Sequence, residues 1–249
     1  MIRLTQKKIF FKIVEEYFSD TCYISRNKYP NTDIVKLVQC NHKVLPDCIK
    51  NFSTITVDLL LPEEELFSNI NKKLRYDIRR VSRNNAYSIF FIDDNDAKGY
   101  DKAIKLLSHF LRKRNLSSLN LTKIKKMWKT GVLKISVSCS SYQDESIFLG
   151  VHIYLIDEES LRGRLLYSCS SFEDHPNLNK LHHWKDILFL KGLGLDKYDF
   201  GGISTDGSTD SIDKFKMKFG GKLEQSCNKI IGLTIKGRLA LIVYRLFFR

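Results

Sequence analysis

Apolar positions along this 249-residue chain fall into runs with two different periods. Residues 55–61 (ITVDLLL) form a short apolar run that predicts a strand, because such runs bounded by turn signals suit buried strands. Pro62 stops the strand and suits the first turn of a helix, where a missing N–H costs nothing. Glu63, Glu64 and Glu65 follow where the helix dipole favours negative charge. Leu66, Ile70, Leu74, Ile78 and Val81 recur at steps of three and four, predicting one continuous helix to about Arg83. A strand is expected over 86–92, and helices over 101–114 and 122–129. Three strand-like runs come next, 133–138, 147–156 and 164–170, joined by short polar links that suit antiparallel neighbours. The middle run has Ile147, Leu149, Val151, Ile153 and Leu155 on one face and a largely apolar second face, so it is expected to be central. His152 on that second face is read as packing or lining a cleft wall.

Residues 179–191 predict a helix ended by Gly192 and Gly194. A short strand is expected over 198–203, and a helix over 211–219 that buries Ile212, Phe215 and Phe219. Two terminal apolar runs, 230–235 and 239–248, are expected to be strands; an interfacial segment is the alternative for the second. Grouped antiparallel strands among helices give an α+β class, with a small N-terminal unit over 1–86 and a core over 87–249.

Composition narrows the partners. The chain has 41 Lys and Arg against 28 Asp and Glu, a net charge of +13. A balance this basic points to an anionic partner, whether nucleic acid, phospholipid or a phosphorylated small molecule, or else to a solvated basic surface. Apolar residues make up 43%, which excludes a disordered chain. No apolar run reaches the roughly 20 residues that span a bilayer, so stable membrane insertion is not expected. The six cysteines form no CxxC pair, and the spacing of Cys40, His42 and Cys48 matches no common zinc pattern. Free buried thiols, no metal and a cytoplasmic, reducing compartment are expected. No signal peptide is read at the start.

Lys72, Arg75, Arg79 and Arg83 form a basic ridge, which either grips phosphate or is simply a solvated helix face. Arg75 and Arg79, with Tyr76, are candidates for a diphosphate because arginine forks match phosphate oxygens. His182 and His183 are adjacent, so at about 100° per residue at most one faces a cleft. A neutral histidine is the usual base near pH 7. Asp199 follows a glycine turn and either accepts a proton or holds a backbone turn. Ser204 and Asp206 follow Gly201-Gly202 in a polar loop suited to substrate hydroxyl contacts, or to an ordinary turn. No Ser-His-Asp or Cys-His order stands out, which favours direct attack over a covalent enzyme intermediate.

Three passages carry a resemblance: the basic helix over 71–86 (NKKLRYDIRRVSRNNA), the join over 182–202 (HHWKDILFLKGLGLDKYDFGG), and residues 215–221 (FKMKFGG). Their order and spacing resemble the GNAT acyltransferases, and specifically the FemAB-like branch of peptidoglycan-bridge enzymes and related sugar N-acyltransferases. The resemblance implies a mixed, mostly antiparallel splayed sheet with a truncated second GNAT-like unit at the N-terminus. It implies transfer of an acyl group from coenzyme A to the amine of a nucleotide-linked amino sugar or cell-envelope precursor. The alternatives are an aminoacyl-tRNA donor, with tRNA as partner, and a non-catalytic nucleic-acid-binding protein on a degenerate scaffold. Lys216 matches the family's Phe-Lys motif and is assigned, with Asp199 and His183, to catalysis. Arg75, Tyr76, Arg79, His182, Trp184, Ser204, Asp206 and Phe215 are assigned to substrate binding. The glycine-bearing pyrophosphate loop of acyl-CoA-dependent GNAT enzymes is missing, since residues 170–180 hold no glycine.

Overall fold

The computed structural model describes the chain apart from residues 1, 9, 20–23, 25, 41–49, 85, 143–144, 171–174, 176, 205–209 and 248–249. In chain order come β1 (Ile2–Lys8), β2 (Phe11–Tyr17), β3 (Ile34–Cys40), β4 (Lys50–Asp58), α1 (Glu63–Asn69) and α2 (Lys72–Ser82). Next are β5 (Tyr87–Phe91), α3 (Ala97–Lys113), α4 (Leu121–Lys129), β6 (Leu133–Tyr142), β7 (Glu145–Asp157) and β8 (Arg162–Ser170). Then follow α5 (Leu178–Gly192), β9 (Lys197–Gly202), α6 (Asp210–Met217), β10 (Lys222–Gly232) and α7 (Ile235–Phe247).

These elements form two compact units, one of Met1–Thr54, Gly202–Asp206 and Leu223–Arg249, the other of Ile55–Gly201 and Gly207–Lys222. Residues 86 and 87 both lie within the second. In the first unit β1 and β2 pair antiparallel from Ile2↔Tyr17 to Lys8↔Phe11. β3 runs parallel to β2 and antiparallel to β10. Val14, Tyr29, Val35, Leu37 and Leu233 fill its core. Buried Glu16 is held there by Tyr29 Oη at 2.7 Å, Arg3 at 3.1 Å and Lys28 at 3.1 Å.

In the second unit β5, β6, β7 and β8 pair antiparallel in sequence, and β9 runs parallel to β8. The sheet is thus mixed and mostly antiparallel. β7 is central, and Val151, Ile153 and Leu155 are wholly buried on one of its faces. α3 and α4 pack on β6 and β7, joined by the Tyr100–Trp128 stack at 4.3 Å. The β8–β9 ladder has only three pairs, Arg162↔Lys197 to Arg164↔Asp199. Gly201 still lies against Leu165 O, but no ladder pair follows, and Ser168 is exposed although it lies within a strand. This is the expected splay.

Two elements differ from the sequence reading. The helix expected to run unbroken to Arg83 divides at Ile70, whose ψ of 139° is extended. Asn71 then caps α2, its Oδ1 accepting from Lys73 N at 3.1 Å, an end signal that the apolar period hides because Ile70 stays on the buried stripe. The last apolar run is a helix, α7, and not a strand. Thr234 starts it: its Oγ1 accepts from Gly237 N at 3.0 Å and its carbonyl from Arg238 N at 2.9 Å. Only glycine fits at 237, since a Cβ there would lie 2.1 Å from Asp33 O.

The expectation of six free thiols also needs correction. Cys40, Cys139 and Cys169 are free and buried, but Cys227 is disulfide-bonded. Cys22 and Cys48, and with Cys48 the Cys40-to-Cys48 cluster, lie outside the described residues.

Candidate active site

The second face of β7 is not the apolar surface that its sequence suggests. Gly150, His152 and Tyr154 alternate along it, opposite Ser138, Ser136 and Lys134 of β6. α5 lies against this face and brings His182, His183 and Asp186, all buried. His182 and Asp186 are four residues apart and so share one side of the helix. Tyr198 reaches the cluster from β9.

Asp186 is the hub. Its Oδ1 accepts from Ser136 Oγ at 2.5 Å; its Oδ2 accepts from Tyr154 Oη at 2.7 Å and from His152 Nδ1 at 2.7 Å. A carboxylate only accepts, so these contacts fix the protons further out. Tyr154 has given its one proton to Asp186, so Tyr198 Oη, 2.8 Å away, must donate to Tyr154. Tyr198 then has no proton left for His183 Nδ1 at 2.7 Å, and that nitrogen must be the donor. Neutral His183 therefore carries its hydrogen on Nδ1 and a bare lone pair on Nε2. The same logic runs through Ser136, which accepts from His182 Nε2 at 2.7 Å and leaves His182 Nδ1 bare. That nitrogen is buried, as is Ser138 Oγ, and neither has a hydrogen-bond partner among the described residues. Both face Gly150, where a Cβ would stand 2.6 Å from Ser138 Oγ and 3.4 Å from His182 Nδ1.

Electrostatics supports these protonation states. Burial, with the neighbouring His152 and Lys216, pushes His183 well below its ordinary value, and burial with His152 and His183 does the same to His182. Both are neutral at pH 7. Burial and the Asp186 charge hold Tyr154 and Tyr198 far above the usual phenol range, so neither ionises.

The rings of Phe200, Phe215 and Phe219 wall His183, with centroids 5.2 to 5.5 Å from it. Lys216 stands in the same neighbourhood, close enough to act on the His183 charge. Burial lowers the Lys216 ammonium's affinity for its proton, as does the Arg164 charge, while Asp213 and Asp199 oppose them. Asp213 Oδ1 is 3.9 Å from its Nζ. Asp199 is fully buried; Oδ1 accepts from Gly201 N at 2.8 Å and Oδ2 from Arg162 at 3.3 Å. It thereby holds the turn at Gly201, where φ is +75° and a Cβ would meet Leu165 O at 2.7 Å.

The remaining expected contacts scatter. Trp184 is buried and packs on Phe67 at 5.0 Å. With Arg79, which sits 5.0 Å over the same Phe67 ring, it lines a cavity of 340 Å³ bounded also by Glu63, Glu64 and Lys185. Arg75 is engaged at the end of α1, donating to Ser68 O at 2.6 Å, and Tyr76 is exposed. Asp77 pairs with Lys180 of α5 at 2.6 Å. Ser204 is half-buried in the smaller unit, and Asp206 lies outside the described residues. Of the assigned residues, the structure brings His182, His183, Phe215, Lys216 and Asp199 together around one buried network.

His152, His182 and Asp186 offer three metal-ligand atoms within 4.8 Å of one another. Zinc at about 2.1 Å from each ligand would hold them roughly 3.4 Å apart. Here His152 Nδ1 and Tyr154 Oη each hydrogen-bond Asp186 Oδ2 at 2.7 Å, so the space an ion's bonds would cross is taken. The trio reads as a hydrogen-bonded hub.

No protein-family model matches the sequence, nor does any curated protein. Solved structures do match. FemX superposes with a TM-score of 0.68 at 12% identity, over 99% of this chain and 86% of that one. The C-terminal domain of a putative lysylphosphatidylglycerol synthetase from Agrobacterium fabrum gives 0.60 at 11% identity, over 98% and 84%. The L-PGS structure from Bacillus licheniformis gives 0.58 at 14% identity, over 88% and 74%. With its splayed, mostly antiparallel sheet and these neighbours, the chain has the GNAT/FemAB-like fold.

Proposed function

We propose that this protein transfers an acyl group from an activated carrier to an amine by direct attack, with His183 as the proton acceptor. The observation that carries the reading is the bare Nε2 of His183, set at the end of a hydrogen-bond chain anchored on Asp186 and beside the Lys216 ammonium. The amine nitrogen bonds to the carbonyl carbon, and the bond from that carbon to the carrier's oxygen or sulfur breaks. His183 Nε2 takes the proton the amine loses. Its Nδ1 proton shifts to Tyr198, the Tyr198 proton to Tyr154, and the Tyr154 proton to Asp186, so positive charge does not stay in the buried pocket. Lys216 faces the negative charge that builds on the carbonyl oxygen and supplies a proton to the departing group. Asp199 keeps the Gly201 turn and sustains the charge on Lys216.

For the carrier we favour an aminoacyl ester of tRNA. The net charge of +13, the absence of a glycine pyrophosphate loop and the likeness to FemX and to lysylphosphatidylglycerol synthetases over most of the chain support that choice. The end of the β8–β9 ladder, with no pair beyond Leu165, favours the second reading, an acyl-CoA donor, because an extended pantetheine arm can pair with a strand edge. The acceptor under either reading is a phosphate-bearing amine, a nucleotide-linked amino sugar or cell-envelope precursor, with Arg79 beside the Trp184 cavity as the phosphate contact. A melting-temperature screen against tRNA, acyl-CoAs and nucleotide amino sugars separates them, since only a ligand of the folded state raises the midpoint. Stabilisation by tRNA supports the first reading, and stabilisation by acyl-CoA alone the second. If neither stabilises and His183→Asn leaves all transfer intact, the proposal fails.

A further inference from the structure

α7 buries little of its apolar surface. Ile235, Leu239, Ile242 and Leu246 follow at steps of four, three and four, so they share one stripe of the helix. They are 74%, 57%, 54% and 73% exposed, and Val243 beside them is exposed as well. What faces inward is Gly237, pressed on Asp33 O, with Ala240 and Leu241 half-buried. A helix in a protein interior shows the reverse arrangement.

The charges beside the stripe are all of one sign. No acidic residue occurs in 234–247. Lys236 is committed to Asp33 at 3.8 Å. Two exposed guanidiniums are not so committed. Arg26 Nε donates to Leu233 O at 3.1 Å and Arg238 Nε to Gly232 O at 3.3 Å, consecutive carbonyls at the foot of α7. Neither arginine has an acidic partner among the described residues. The backbone fixes both heads while their terminal nitrogens keep their donors for an external anion.

We propose that α7 docks on the surface of an anionic phospholipid bilayer, its apolar stripe at the acyl boundary and Arg26 and Arg238 on headgroup phosphates. A stripe of exposed Leu and Ile flanked by basic residues is what an interfacial helix presents. A second copy of the chain suits it less well. Self-pairing would set basic flank against basic flank with no acid to relieve it, and a stripe of 12 residues is short of the three or more heptads that sustain a coiled coil.

The test is flotation with vesicles of mixed phosphatidylglycerol and phosphatidylcholine, and with phosphatidylcholine alone. Expected is binding to the mixed vesicles at about 0.1 M salt, largely released at about 1 M, where the screening length has shrunk to roughly 3 Å. Leu239→Ser with Ile242→Ser weakens binding by about tenfold per side chain. Arg26→Gln with Arg238→Gln weakens it by about fivefold per arginine. The altered apolar side chains are exposed, so the melting temperature stays; should either pair unfold the protein, the single variant Leu246→Ser and the salt titration of the unaltered protein decide. Equal binding to both vesicle types, no binding to either, or variants that bind as well as the parent would overturn the proposal. So would sedimentation showing a concentration-dependent dimer that the Leu239 and Ile242 changes abolish while vesicle binding persists.

Discussion

Two buried imidazoles that stay neutral make the protein sensitive to acid in a way that can be worked out. On unfolding, His182 and His183 regain ordinary affinities near pH 6.5, while in the folded protein both lie well below. The sign follows from proton binding. Below pH 6.5 the unfolded chain binds protons that the folded one refuses, so stability is fully present above that pH and declines as pH falls. With neither imidazole taking up a proton in the fold over this range, each histidine removes about 2 kcal/mol between pH 7.5 and pH 5.0, and the pair about 4 kcal/mol. His183→Asn keeps a donor toward Tyr198 Oη but does not titrate. Urea unfolding of parent and variant at both pH values isolates the term, because every carboxylate contributes equally to each. The variant is expected to lose about 2 kcal/mol less than the parent over that interval. Equal losses would mean that His183 is already charged in the fold or is wet, and the proton assignment through Tyr198 would collapse with it.

Other expectations follow from the same geometry. Tyr198→Phe cuts the link between His183 and Tyr154, costing about 1–3 kcal/mol for the stranded buried donor; urea midpoints and transfer rates should fall together, whereas Tyr76→Phe on the surface changes neither. Lys216→Met should lower kcat by about 10²- to 10³-fold with stability nearly kept, the size seen when one oxyanion donor is removed. Gly201→Ala should cost about 2 kcal/mol or more, from a left-handed backbone and from the Leu165 carbonyl, read as a drop in melting temperature. Asn71→Ala should cost about 1 kcal/mol as the loss of the α2 cap.

Much of the core was legible in the sequence. Strand and helix periods located β5 to β9 and α3 to α6 within a few residues, and the 182–202 and 215–221 passages pointed to His183 and Lys216. The hub escaped notice because its members, Ser136, His152, Tyr154, Asp186 and Tyr198, are dispersed along the chain and meet only through strand register. Tyr154 also counts as apolar when a strand face is scored, so the polar side of β7 looked like core. Only the His182-to-Asp186 step of four was visible as a local signal. The C-terminal helix was misread for a related reason. Its Leu, Ile, Val, Tyr and Phe suit a strand as well as a helix, and the choice was made by Thr234 as cap and by the close approach of Gly237 to Asp33. The basic ridge over 72–83 divided its labour: Arg75 went to Ser68, Arg79 to Phe67, and Asp77 turned away to Lys180.

The brevity of the β8–β9 ladder has a consequence for exchange of backbone hydrogens with deuterium. From Tyr167 to Ser170, past the bulge at Leu166, every second amide points away from β7, and no β9 partner follows Arg164↔Asp199 in the ladder. Those amides should exchange quickly while their alternate neighbours stay slow, giving β8 a sawtooth of protection along its free half. A ligand that lies along that edge must erase the teeth, so the pattern is a label-free gauge of occupancy that needs no knowledge of the chemistry being carried.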